Sequence, residues 1–171
     1  MRKAIILVAL MLLVLPFIEY KQEDLTPQIV TKAYEEFDKE QQKQIDCLAT
    51  NIYREAGAES EDGKVAVALV TMNRVKAQGF PETVCKVVQQ KTKNVCQFSW
   101  KCFAKLPKMN ENLYKYSREI AIRVFLNHHL LDDITLGALF YHADYVRPRW
   151  KRVEVTTKIG RHIFYRPIGA I

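Results

Sequence analysis

The stretch from Cys47 to Arg74, CLATNIYREAGAESEDGKVAVALVTMNR, constrains the fold of this chain more than any other. Ile45, Leu48, Ala49 and Ile52 recur at i, i+3, i+4 and i+7, so a helix over about 41–56 buries that side. Gly57 supplies a stop. After a short junction, the run Val65-Ala66-Val67-Ala68-Leu69-Val70 belongs to a second helix, 61–77, apolar nearly all round until Asn73 and Arg74. A helix with no polar face has to be covered on every side. The chain is thereby committed to a helical core with residues 61–77 at its centre.

The junction between the two helices is crowded with carboxylates. Glu55 follows Ile52 by three residues, which puts it close to the buried face. Apolar surroundings favour a protonated glutamate and raise its pKa. That is the state a general acid needs, so Glu55 is the leading candidate for chemistry; its plainer alternative is a solvated helix-end glutamate. Glu61 and Asp62 suit the N-cap and first turn of the second helix, where a helix dipole favours negative charge. Glu59 stays open between a turn residue and a second carboxylate reaching back to Glu55.

The N-terminus and the cysteines bear on compartment. Arg2 and Lys3 precede an apolar run, Ala4 to Ile18. As a helix it would be roughly 22 Å long, short of the roughly 30 Å hydrocarbon core. This resembles a secretory signal, although Phe17-Ile18-Glu19-Tyr20 offers no small-x-small cleavage site. Residues 1–20 are therefore read as a signal peptide or N-terminal membrane anchor, 21–40 as a polar lead-in helix or linker, and 41–171 as the functional domain. Either fate exports the domain: periplasmic, secreted, or anchored to the outer face of the inner membrane. An even set of cysteines, Cys47, Cys85, Cys96 and Cys102, suits that setting. Three pairings are possible; Cys96–Cys102 as a local loop with Cys47–Cys85 is preferred. With no Cys-x-x-Cys and scattered histidines, neither a metal nor a cofactor is expected.

The net charge of +7 is concentrated near the end of the chain. Arg147, Arg149, Lys151, Arg152, Lys158, Arg161 and Arg166 face a single acid, Glu154, in that stretch. Such a patch suits a polyanion: nucleic acid, anionic lipid or an acidic wall polymer. Export and paired cysteines argue against nucleic acid.

Between these landmarks, Thr83–Gln90 reads as a short helix and 91–108 as irregular, with the cluster Cys96-Gln97-Phe98-Ser99-Trp100 inside it. A further helix spans about 111–127, with Leu113, Tyr116, Ile120 and Val124 along one side. Val153–Thr157, a turn at 158–160 and His162–Tyr165 form a hairpin. The fold class is α+β, mainly α, with a small C-terminal β-hairpin.

Several ordered motifs resemble the cell-wall hydrolases related to spore-cortex-lytic enzymes. They are Glu55-Ala56-Gly57-Ala58-Glu59, the buried helix ending Asn73-Arg74, Phe80-Pro81-Glu82-Thr83-Val84, Cys96 to Trp100, and Gly137 to His142. Where that family has Arg-Gly, this chain has Gly57-Ala58. The resemblance implies a lysozyme-like helical domain that cleaves peptidoglycan between N-acetylmuramic acid and N-acetylglucosamine. It implies a lytic transglycosylase with Glu55 as the one catalytic acid. The alternatives are a hydrolytic muramidase that also uses Glu59, or a non-catalytic basic wall-binding module. On this reading Gln97 and Ser99 hydrogen-bond N-acetyl groups, and Tyr141, Tyr145 and Trp150 stack on sugars. His142 is a further substrate contact or a satisfied structural histidine, and Asn73 holds the Glu55 turn through its backbone. The expected partners are peptidoglycan and, if the leader stays, a membrane; the protein is expected to be a monomer.

Overall fold

Helix α1, Lys39–Ala56, starts where Asp38 and Gln41 close a capping box. The Asp38 carboxylate accepts from the Gln41 N–H at 2.8 Å, and the Gln41 side chain accepts from the Asp38 N–H at 3.2 Å. The helix therefore begins ahead of the apolar periodicity that predicted it. At its other end, a Cβ on Gly57 would lie 2.4 Å from the Tyr53 carbonyl oxygen. The turn as built needs glycine at 57. This computed structural model describes residues 34–169 except Asn94, so the leader and most of the lead-in lie outside the described residues. The described end of the lead-in meets the core. Tyr34 and Phe37 pack against it, and the Tyr34 hydroxyl donates to Asp46 at 2.8 Å.

Helix α2, Glu61–Lys76, is capped by Ser60, whose hydroxyl accepts from the Gly63 N–H. Its apolar residues are covered on both sides. Ala68, Leu69 and Met72 join α1, helix α3 (Val84–Gln89) and helix α4 (Glu111–Asn127) in the main core. Ala66 and Val70 pack instead against Ala138 and Phe164, beneath the sheet. Asn51, with no exposed surface, donates to Thr71 Oγ1 and accepts from the Trp100 indole, both at 3.2 Å. One side chain thus ties α1 to α2 and to the 3₁₀ turn Ser99–Cys102. Along α4 the buried stripe is Ser117, Ile120, Ala121 and Val124. Leu113 and Tyr116 depart from the expected stripe: they are 43% and 38% exposed, while Tyr114 packs against the core. The Tyr116 hydroxyl donates to Glu61 at 2.5 Å instead.

The C-terminal hairpin gains a third strand. Strands β3 (Phe140–Ala143), β4 (Val153–Ile159) and β5 (His162–Pro167) form an antiparallel sheet in the order β3-β5-β4. A shorter hairpin, β1 (Lys91–Thr92) with β2 (Val95–Cys96), occupies the stretch expected to be irregular. The cysteines pair as Cys47–Cys85, stapling α1 to α3, and Cys96–Cys102, closing a short loop. The architecture is α+β, mainly α, as the sequence pattern predicts.

Asn73 does not hold the Glu55 turn. Its amide donates to Asp133 Oδ2 at 2.9 Å and to the Ala138 carbonyl at 3.2 Å, fixing the loop that feeds β3. The reason is helical phase: Asn73 faces the sheet-side layer rather than α1. Asp133 is the hub of that loop, accepting also from the Thr135 N–H and hydroxyl and from the Gly137 N–H. Burial alone would raise its pKa, but these hydrogen bonds together hold it below the ordinary value. Asp133→Ala is expected to cost about 2 kcal/mol at neutral pH, read by denaturant unfolding. A depressed folded pKa stabilises above the unfolded value and is lost as pH falls through the folded one. The gap between wild type and variant should therefore close below about pH 4.

Candidate active site

Glu55 sits in the last turn of α1, half-buried, at the seam between the helices and the sheet. Its Oε2 accepts from the Tyr141 hydroxyl at 3.2 Å. Strand alternation selects that partner. Tyr141 pairs with Phe164 and Ala143 with His162, which places Tyr141, Phe164 and His162 on the sheet face turned to the helices. Phe164 is fully buried, and the Tyr141 ring lies 5.6 Å from it and 5.2 Å edge-on from His162.

Behind the carboxylate stands a cation that sequence reasoning passed over except as the end of a motif. Arg74 is 2% exposed. Its Nε donates to the Leu139 carbonyl at 2.7 Å, and its guanidinium faces the rings of Phe98, Phe80 and Phe140 at 5.2, 5.6 and 6.0 Å. The Gln97 amide oxygen, turned inward, accepts from Nη2 at 3.1 Å and Nη1 at 3.3 Å. The signal for Arg74 was present in the sequence: a charge closing an otherwise apolar helix must end in a built pocket or at the surface.

Burial pushes the Glu55 pKa up, and the Tyr141 hydrogen bond and Arg74 charge pull it back without cancelling the rise. The Tyr141 phenol is raised well above its usual value, first by burial and then by the Glu55 charge, so it stays a donor. His162 is lowered, first by burial, which favours a neutral ring beside Tyr141. The arrangement is a carboxyl with a raised pKa, aligned by one donor, with positive charge nearby for its ionised form.

Of the other predicted residues, Gln97 touches this cluster through Arg74, whereas Ser99 is exposed at the start of the 3₁₀ turn. Glu59 is engaged elsewhere. Its Oε2 accepts from the Arg161 N–H at 3.2 Å, and its main-chain carbonyl accepts from Lys64 Nζ. His142 and Trp150 lie on the opposite face of the sheet, along a groove of about 520 Å³ that Tyr165, Ile163 and Arg147 also line. There His142 Nδ1 donates to the Ala143 carbonyl and Nε2 accepts from the Tyr165 hydroxyl, each at 2.8 Å. Trp150 is 42% exposed beside them. Tyr145 is 74% exposed, with the Arg161 guanidinium over its ring. The basic patch is smaller than its residue count, because Lys158 pairs with Asp144 and Arg166 with Glu154. Arg147, Arg149, Lys151 and Arg152 make no such pair among the described residues.

Tyr141→Phe removes the hydrogen bond that lowers the Glu55 pKa. The Glu55 carboxyl, followed by carbon-13 NMR titration, should then ionise at higher pH than in wild type. An unchanged or lower value would contradict this account of its environment.

Comparison with known proteins places the chain among its relatives. A family profile described as cell wall hydrolase matches residues 58–165, starting just after Glu55. The spore cortex-lytic enzyme of Bacillus cereus is 32% identical over 126 residues, which cover 72% of this chain and 44% of the relative. The chain thus spans less than half the length of the curated relatives it matches. The crystal structure of the catalytic domain of the Bacillus cereus SleB protein superposes with a TM-score of 0.51 at 31% identity. That match covers 73% of this chain and 91% of the other. With more than half of its length matched by the profile and a solved relative of the same fold, this chain belongs to the cell wall hydrolase family.

Proposed function

We propose that the protein cleaves the glycan strands of peptidoglycan between N-acetylmuramic acid and N-acetylglucosamine, as an exported lytic transglycosylase acting as a monomer. The observation that carries the reading is Glu55: half-buried, its pKa raised, aligned by Tyr141 and backed by Arg74. Protonated Glu55 donates its proton to the glycosidic oxygen, and the bond from that oxygen to C1 of the muramic acid breaks. The 6-hydroxyl of the same sugar attacks C1, and ionised Glu55 takes the proton that this hydroxyl loses. The product is a 1,6-anhydro ring, no water is consumed, and Glu55 ends as it began. The positive charge of Arg74 and the Tyr141 hydroxyl stabilise the ionised carboxylate between the two transfers.

A hydrolytic route needs a second free carboxylate, at about 5–5.5 Å for retention or 6.5–9.5 Å for inversion. Glu59 is the candidate four residues along the chain, and its carboxylate already accepts from the Arg161 N–H. That engagement favours the single-carboxylate route. His142, Trp150 and Tyr145 would contact glycan outside the reacting bond, and the four unpaired basic residues of 147–152 would attract the carboxylates of the wall's stem peptides. Gln97 would serve through its grip on Arg74, and Ser99 would meet an N-acetyl group at the rim.

Glu55→Gln keeps the shape and removes the proton donor. Purified and folded, it should lose at least about a thousandfold in turnover on isolated walls while still binding them. Retention of more than about a tenth of wild-type turnover would remove Glu55 from the catalytic role.

A further inference from the structure

Glu59 holds the tip of the β4–β5 hairpin from below. The turn is two residues long, Gly160-Arg161, because Ile159 pairs with His162. Gly160 has φ +55°, and a Cβ there would lie 2.2 Å from Glu59 Oε2. The same oxygen accepts from the N–H of Arg161. Glu59 is in turn held by Lys64, which is 4% exposed and donates to its main-chain carbonyl. Gly63 completes the fit, since a Cβ on it would come within 2.8 Å of the Glu59 Cβ. Glycine on both sides of one glutamate leaves a slot shaped for that side chain.

The residue immediately after the tip is His162, and Phe164 follows on the same face. These two rings are the ones against Tyr141, whose hydroxyl reaches Glu55. We infer that Glu59 is a positioning residue: it fixes the hairpin tip, and through His162 and Phe164 it sets Tyr141 against Glu55, rather than exchanging a proton with substrate. The inference rests on Glu55 being the acid. Besides Tyr141 from β3, the charged group facing Glu55 is Arg74 from α2; His162 from β5 faces Tyr141.

The role predicts an order among substitutions that a catalytic carboxylate would not give. Gln at 59 still offers a carbonyl oxygen to the Arg161 N–H, so Glu59→Gln should keep kcat/KM on purified peptidoglycan within about threefold of wild type. Glu59→Ala should lose about tenfold or more and move the alkaline limb of the pH–rate profile upward, as Tyr141→Phe does. Gly160→Ala, which displaces the carboxylate while leaving Glu59 in the chain, should reproduce Glu59→Ala, and the two changes combined should cost little more than either alone. All are compared as full-length protein well below their melting temperatures. Loss of activity in folded Glu59→Gln comparable to that in Glu59→Ala overturns the inference and makes Glu59 a second catalytic carboxylate. Full activity in Glu59→Ala, with an unmoved pH profile, overturns it as well. Failure of the underlying reading would look different: Glu55→Gln, run alongside, would remain active whatever the residue at 59.

Discussion

The buried charge of Arg74 organises the parts of this protein that meet at its site. A guanidinium with 2% exposure keeps its charge, and isolating it would cost several kcal/mol. Its hydrogens and its faces therefore have to be met by groups from separate segments. Leu139 supplies a carbonyl from the start of the sheet, and Gln97 an amide oxygen from the Cys96–Cys102 loop. Three phenylalanines from three parts of the chain cover its faces. A helix end, a disulfide loop and an edge strand converge because one cation requires them all.

Glu55 inherits its character from that convergence. Arg74 is close enough to lower its pKa, yet no ion pair between them is formed among the described residues. A direct pair would ionise the carboxyl and remove it as an acid. With the charge held on Leu139 and Gln97 instead, burial remains the larger influence and the Glu55 pKa stays above its ordinary value. The same cation stabilises the carboxylate once its proton has gone. On the proposed mechanism, donor and acceptor roles for one group would follow from placing a fixed charge near it and not on it.

Much of this was legible from spacing. The 3.6-residue recurrence of Ile45, Leu48, Ala49 and Ile52 located α1 and put Glu55 near its buried side, and the all-apolar run marked α2 as central. What spacing could not supply was partnership. Strand β3 is only four residues long, too short for its own alternation to announce a strand; pairing with β5 creates it. Without β3 the sequence sets Tyr141 and His142 side by side at one site, whereas the pleat sends them to opposite faces. The partners of Asn73 are out of reach for a similar reason: helical phase is local, but Asp133 and Ala138 are about 60 residues away. Glu59 showed only that it lay near Glu55, and its engagement with the hairpin tip depends on Gly160, about 100 residues on.

The central claim is that one carboxylate gives and recovers the proton, with the sugar's own hydroxyl as nucleophile. Digestion of purified peptidoglycan in oxygen-18 water, followed by mass spectrometry of the released muropeptides, tests it most directly. The account predicts 1,6-anhydro muramic acid ends, lighter than the reducing form by one water and carrying no heavy oxygen. Reducing ends labelled with oxygen-18 at C1 would contradict it and require a second group to activate water.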